Sequence, residues 1–188
     1  MKKIALTSLL AMFAVSAANA ETNYFVGGSF GLGTDNDHES TFSIAPEFGW
    51  KYNADWDFGV SAGFYHEHDS DWIDEDVYSY GANVFARYNV AEFGGVKLLL
   101  KGSIGAEFWN YDNVTDSFTG VEIIPMITYD ISESFTLYAQ LNFLKASFGY
   151  YVDHGIDDID RSWEAGIFAN TGNVANTEDF QIGFTYNF

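Results

Sequence analysis

Cysteine is absent, proline occurs only twice, and lysine and arginine together number only 8 in 188 residues. Without cysteine there is no disulfide framework, no thiolate metal site and no cysteine nucleophile. Against those 8 bases stand 27 acids, a net charge of −19. The basic footprint that phosphate neutralisation requires is missing, which excludes nucleic acid as a partner. Such a charge alone would favour disorder, but 47% of the residues are hydrophobic and 19% are aromatic, which argues for an ordered chain. Past residue 20 no run is apolar enough for a membrane helix, which needs about 20 consecutive apolar positions. The length admits one domain or two.

The chain opens with an export signal. Met1-Lys2-Lys3 is a positive start, residues 4–15 are mostly apolar, and Ala18-Asn19-Ala20 is an A-x-A cleavage pattern. That order is the signature of a secretory signal peptide, and the apolar run is too short to anchor in a bilayer. Residues 1–20 are therefore expected to be cleaved, leaving 21–188 as one exported domain of a bacterial envelope.

The rest alternates with period two, the pattern of strands with two unlike faces. Eight stretches read this way: 24–33, 42–52, 56–65, 77–89, 96–109, 118–130, 135–144 and 180–188. Short turns at 53–55, 90–95 and 131–134 alternate with longer polar connections at 34–41, 66–76, 110–117 and 145–179. Within the last of these, residues 162–169 alternate weakly, but Asn170, Gly172, Asn173 and Asn176 follow, and the segment reads as a loop. Pro46 and Pro125 each remove a ladder hydrogen bond and predict local distortion.

One face carries no charge. It includes Phe42, Ile44, Phe48 and Trp50, then Val84, Leu98, Leu100 and Ile104, and it gathers Tyr, Trp and Phe towards the strand ends. The opposite face is polar and also holds Gly49, Gly59, Gly81, Gly105 and Gly183, small enough for a crowded barrel interior. An aromatic girdle on the apolar face points that face to lipid and the polar face to a lumen. A closed barrel also pairs every backbone group, as hydrocarbon demands. The fold class expected is all-β, an eight-stranded antiparallel transmembrane up-and-down barrel.

The final segment, residues 180–188, resembles the C-terminal signal of bacterial outer-membrane barrels, with Gln181, Gly183, Tyr186 and Phe188 at the matching positions. Across residues 21–188 the layout is similar to the small eight-stranded OmpA/OmpX-like group. The resemblance implies an outer-membrane location, contact with outer-membrane lipid, and recognition of the last strand by the barrel assembly machinery. No peptidoglycan-binding domain is expected after Phe188, a departure from full-length OmpA-type proteins.

Lumen parity gathers Lys51, Arg87, Lys97 and Lys101 with Glu47, Glu107 and Glu122 as candidate partners. Eight strands leave an interior just wide enough for side chains to fill. Phe85, Leu99, Trp109, Met126 and Tyr138 share that face, so a plug is expected ahead of an ion path gated by shifting pairs. With both termini periplasmic, the four longer connections face outside and hold most of the acid and all four histidines. His66, His68, Asp69 and Asp71 lie close enough in sequence to suggest a metal, but without a specific ligand spacing. A solvated acidic surface is the expectation, with no cofactor beyond weak divalent binding around Glu67, Asp69, Asp71, Asp74, Glu75 and Asp76. Asp37-His38 and Asp153-His154 beside Asp157-Asp158 are the nearest approach to a rim hydrolase, and adjacency alone does not make a site. The reading is a structural or surface-interaction barrel, not an enzyme, contacting an external ligand or surface partner. A narrow ion-conducting pore is the alternative, and a rim hydrolase the third.

Overall fold

The computed structural model describes residues 23–34, 40–69, 75–111, 114–142, 144–154, 159–169 and 180–188. These form β1 (Tyr24–Thr34), β2 (Ser40–Lys51), β3 (Trp56–Asp69), β4 (Glu75–Phe93), β5 (Val96–Tyr111), β6 (Val114–Asp130), β7 (Phe135–Leu141), β8 (Leu144–His154), β9 (Ile159–Ala169) and β10 (Phe180–Asn187). The circuit β1 to β7, then β10 back to β1, is antiparallel throughout and closes an eight-stranded barrel. Residues 1–20 lie outside the described residues.

Alternation fixes the faces as the pattern predicts. Leu32, Ile44, Val60, Val84, Ile104 and Ile182 are exposed on the outside, while Phe25, Phe85, Leu99, Met126 and Tyr138 are buried within. Aromatic side chains collect where β2 to β4 meet their short turns. Trp50 and Phe58 stack at 5.6 Å between centroids, and Trp56 lies 4.8 Å from Tyr88. Amphipathic rings of this kind favour a membrane interface.

Several boundaries differ from the sequence reading. The short turn expected over 90–95 is only Gly94-Gly95, with φ of 59° and 87°; β4 continues to Phe93 through an irregularity between Asn89 and Ala91. Two consecutive positive φ values make the tight turn that twisted hairpins prefer, and glycine adopts them without strain. The outer connections shrink as well. β3 reaches Asp69 and β4 starts at Glu75, while β5 ends at Tyr111 and β6 starts at Val114. Much of the acid assigned to loops therefore sits on strand ends.

The largest correction concerns 145–179. Residues 144–154 and 159–169 pair from Leu144–Ala169 to His154–Ile159, forming a hairpin that extends the seventh and eighth barrel strands outward. Phe148 and Trp163 stack across it at 5.4 Å. A strand above the hydrocarbon meets water on both faces and needs no continuous apolar side, so its alternation is weak. β8 continues the ladder of β6 by pairing Val152 to Ala146 with Ser117 to Ile123. Among the described residues β9 has β8 as its only ladder partner.

Pro125 marks the join. Met126 faces Gln140 and Ile123 faces Ala146, so the step along β6 is shorter than the step along its partner, and the ladder skips Ile124 and Pro125. Pro46 has a milder effect. Its pairing with Gly28 persists, and β2 keeps one register with β3 on either side of a gap at Ala45 and Pro46.

Candidate functional site

The inward face of the barrel carries the chemistry. Glu47 and Arg87 are 3% and 4% exposed, and the guanidinium donates to the carboxylate in a buried ion pair. Three rings surround the cation. The guanidinium carbon lies 4.6 Å from the centroid of Phe85 and 5.3 Å from those of Phe25 and Tyr138. Ring faces present negative charge to a cation, so they replace part of the water that Arg87 has lost.

Glycine makes room for these rings. A Cβ on Gly49 would stand 2.5 Å from Phe25 Cζ, and one on Gly59 would stand 2.5 Å from Phe85 Cζ. The inward glycines are thus a bed for these rings, as their parity suggests. Met126, fully buried, packs with Leu99 and Tyr138 beside them.

Above this layer runs a polar bridge across the lumen. Lys101 Nζ donates to Gln140 Oε1 at 3.0 Å, and Gln140 Nε2 donates to Ser29 Oγ and to Gln181 Oε1, each at 3.3 Å. Lys101 is 7% exposed, and its ammonium sits 5.0 Å over the Phe85 ring. Two cavities lie on either side. The outer one, about 340 Å³, includes Ser43, Ser103, Glu107, Glu122, Lys101 and Gln140 in its lining. The inner one, about 310 Å³, includes Lys51, Asp57, Arg87, Lys97, Asp130 and Tyr138. The divide passes between Arg87 and Lys101, which face each other on adjacent strands.

The ion pairs suggested by lumen parity form only in part among the described residues. Glu47 takes Arg87, but Lys97 pairs with Asp130 at 2.8 Å and Glu122 with Lys145 at 3.3 Å. The period-two pattern puts Asp130 at a strand end and Lys145 in a connection, so neither counts among its lumen charges. Glu107 accepts from Ser79 Oγ at 2.7 Å. Gln140, Gln181 and Phe25 complete the centre. Gln181, counted with the assembly signal, is also a lumen residue, whereas Tyr186 is exposed on the outside. Gly183 lies under the Tyr138 ring and Phe188 donates its backbone N–H to Tyr24 at 3.0 Å.

At the outer rim the His66 ring rests 4.7 Å from that of Tyr78, and Glu67 accepts from the Tyr65 hydroxyl at 2.5 Å. His68 faces Asp76 and Asp69 faces Glu75 in the ladder. Asp71, Asp74, Asp37, His38, Asp157 and Asp158 lie outside the described residues. Among the described residues no three His, Asp or Glu side chains converge as a metal site would. Buried Asp116 accepts from the Tyr151 hydroxyl at 3.2 Å and from the His154 backbone N–H at 2.8 Å. It thereby fastens the end of β8, a task that sequence spacing does not reveal. Burial and the Asp116 carboxylate push the Tyr151 phenol up to about 12.

The fold has counterparts among solved structures. Neisserial surface protein A superposes with a TM-score of 0.51 over 89% of this chain and 98% of that one, at 16% identity. A major outer membrane protein from Thermus thermophilus gives 0.49 over 89% and 100%, at 12% identity. The N-terminal β-barrel domain of Pseudomonas aeruginosa OprF gives 0.41 over 89% and 98%, at 15% identity. No protein-family model matches the chain, and no curated protein matches it in sequence. The likeness to the Neisserial protein is one of fold, a closed eight-stranded antiparallel barrel.

Proposed function

We propose that this OmpA/OmpX-like barrel resides in the outer membrane of a Gram-negative cell and acts through its wall and outer rim, without catalysis. The observation that carries the reading is the layer of Phe25, Phe85, Glu47, Arg87, Tyr138 and Met126 between two separate cavities. A lumen filled at its waist speaks against passage and supports a role in lipid contact and surface contact. The outward aliphatic residues suit acyl chains, and the acidic rim with its raised β8–β9 hairpin suits an external ligand or surface partner. The final strand, with Gln181, Gly183, Tyr186 and Phe188, serves as the signal to the barrel assembly machinery.

Cell fractionation tests this reading. The protein should be recovered from the outer membrane without residues 1–20, and its folded form should migrate differently on a gel before and after boiling. Native protein in the soluble periplasm would overturn it. A narrow pore is the second reading, favoured by the thinness of the divide: Glu47 faces two cations, Arg87 and Lys101, and transfer of the carboxylate from one to the other would loosen the plug.

A further inference from the structure

We propose that the outer cavity binds a small monoanion of the carboxylate class, with the Lys101 ammonium as its principal anchor and the Ser43 hydroxyl as a second donor. At the waist, Glu47, Arg87 and Lys101 are all more than nine-tenths buried, and Asp57 stands across the ladder from Arg87 rather than from Lys101. Arg87 holds the Glu47 carboxylate. Lys101 stands directly across the strand from Arg87, a like-charge juxtaposition that destabilises unless an anion relieves it.

Lys101 makes no ion pair among the described residues; Glu47 and Glu122 act on its ammonium only from beyond contact distance. Its hydrogen bond goes to a neutral amide, Gln140, and among the described residues no carboxylate lies within ion-pair distance of it. An ammonium carries three donors, so two are left for the cavity that Lys101 lines. A buried charge without a counterion is costly, and an anion entering from water removes that cost. Ser43 adds a second, independent observation. It is 6% exposed, it lines the same cavity, and its hydroxyl has no partner among the described residues. Buried hydroxyls are ordinarily satisfied.

Other lining residues set the class. Ser61, Ser79, Ser103 and Asn83 supply polar walls for a small hydrophilic molecule. Glu107 and Glu122 also line the cavity, Glu122 paired with Lys145 and Glu107 accepting from the Ser79 hydroxyl. Two carboxylates in the wall disfavour a dianion and tolerate a single negative charge held at Lys101.

The test is a titration of the refolded full-length barrel with sodium formate, followed by amide NMR, beside a sodium sulfate titration at equal ionic strength. Saturable shifts at Ser43, Lys101, Ser103 and Gln140 are expected with formate and not with sulfate. Lys101→Met should weaken binding at least about tenfold, the loss of a charge-assisted hydrogen bond. Ser43→Ala should weaken it roughly threefold to tenfold, and Lys97→Gln in the inner cavity should leave it unchanged. If Lys101→Met does not fold, Ser43→Ala decides. Equal shifts with sulfate, or formate binding undiminished in the Lys101 or Ser43 variant, would overturn the proposal.

Discussion

Breaking the Glu47–Arg87 pair is the most informative perturbation of the plug. Removing one member of a buried pair costs about 3–5 kcal/mol because the other charge is left uncompensated. The two single variants should differ. Glu47→Gln leaves Arg87 and Lys101 facing each other across adjacent strands with no anion between them, so its loss should fall at the upper end, about 5 kcal/mol. Arg87→Met leaves Lys101 as a second cation for Glu47, placing its loss nearer about 3 kcal/mol. The double variant Glu47→Leu with Arg87→Met removes both charges from among the Phe25, Phe85 and Tyr138 rings. It should be less destabilised than either single variant, since apolar replacement of a whole buried pair is often close to neutral. Urea titrations in phospholipid vesicles, read by tryptophan fluorescence and by gel mobility without boiling, would give the four stabilities. The coupling free energy should reach several kcal/mol. Additive losses, or single losses below about 1 kcal/mol, the range of exposed pairs, would refute the description of the waist as dry and closed.

Other outcomes follow from the same geometry. Val84 is 55% exposed on the outer face, so Val84→Arg should cost about 2–4 kcal/mol if it lies at the bilayer midplane; wild-type stability in lipid would mean the faces are inverted. Gly59→Val places branched atoms against the Phe85 ring and the Phe48 carbonyl and should cost at least about 1–3 kcal/mol, the scale of overpacking a filled core, measured by the same urea titration. Asp116→Ala removes the acceptor for the Tyr151 hydroxyl and the His154 N–H. Hydrogen exchange should then speed up at the outer ends of β8 and β9 while the waist stays protected; unchanged exchange would deny Asp116 its fastening role.

Barrel strand count and face assignment were legible in the sequence because hydrocarbon imposes a strict rule, whereas Trp109, expected to fill the lumen, lines the outer cavity beside Tyr151. A lipid-facing strand must be apolar on one side along its whole span, and Phe42 to Tyr52 or Val96 to Phe108 obey it residue by residue. The rule lapses where strands rise into water, and there period two no longer marks a strand. Lys145, Asp153, Asp160 and Glu164 look like loop residues yet lie on the paired strands β8 and β9. Ion pairing was legible only in part. Parity shows which side a charge faces but not the register between strands, so Lys97 with Asp130 and Lys145 with Glu122, diagonal neighbours on adjacent strands, emerge only from the ladders. Phe25 is hidden for a related reason: on a strand otherwise lined inward by Gly27, Ser29 and Gly31, a single ring does not announce that it fills the waist.

Planar-bilayer recording of the refolded barrel tests the central claim, that the lumen is closed between its two cavities. Wild-type protein is predicted to give no stable single-channel steps, whereas the double variant Phe25→Ala with Phe85→Ala, which empties the waist of two rings, should give them. Stable, reproducible steps from the wild-type protein would contradict the account and make the barrel a pore.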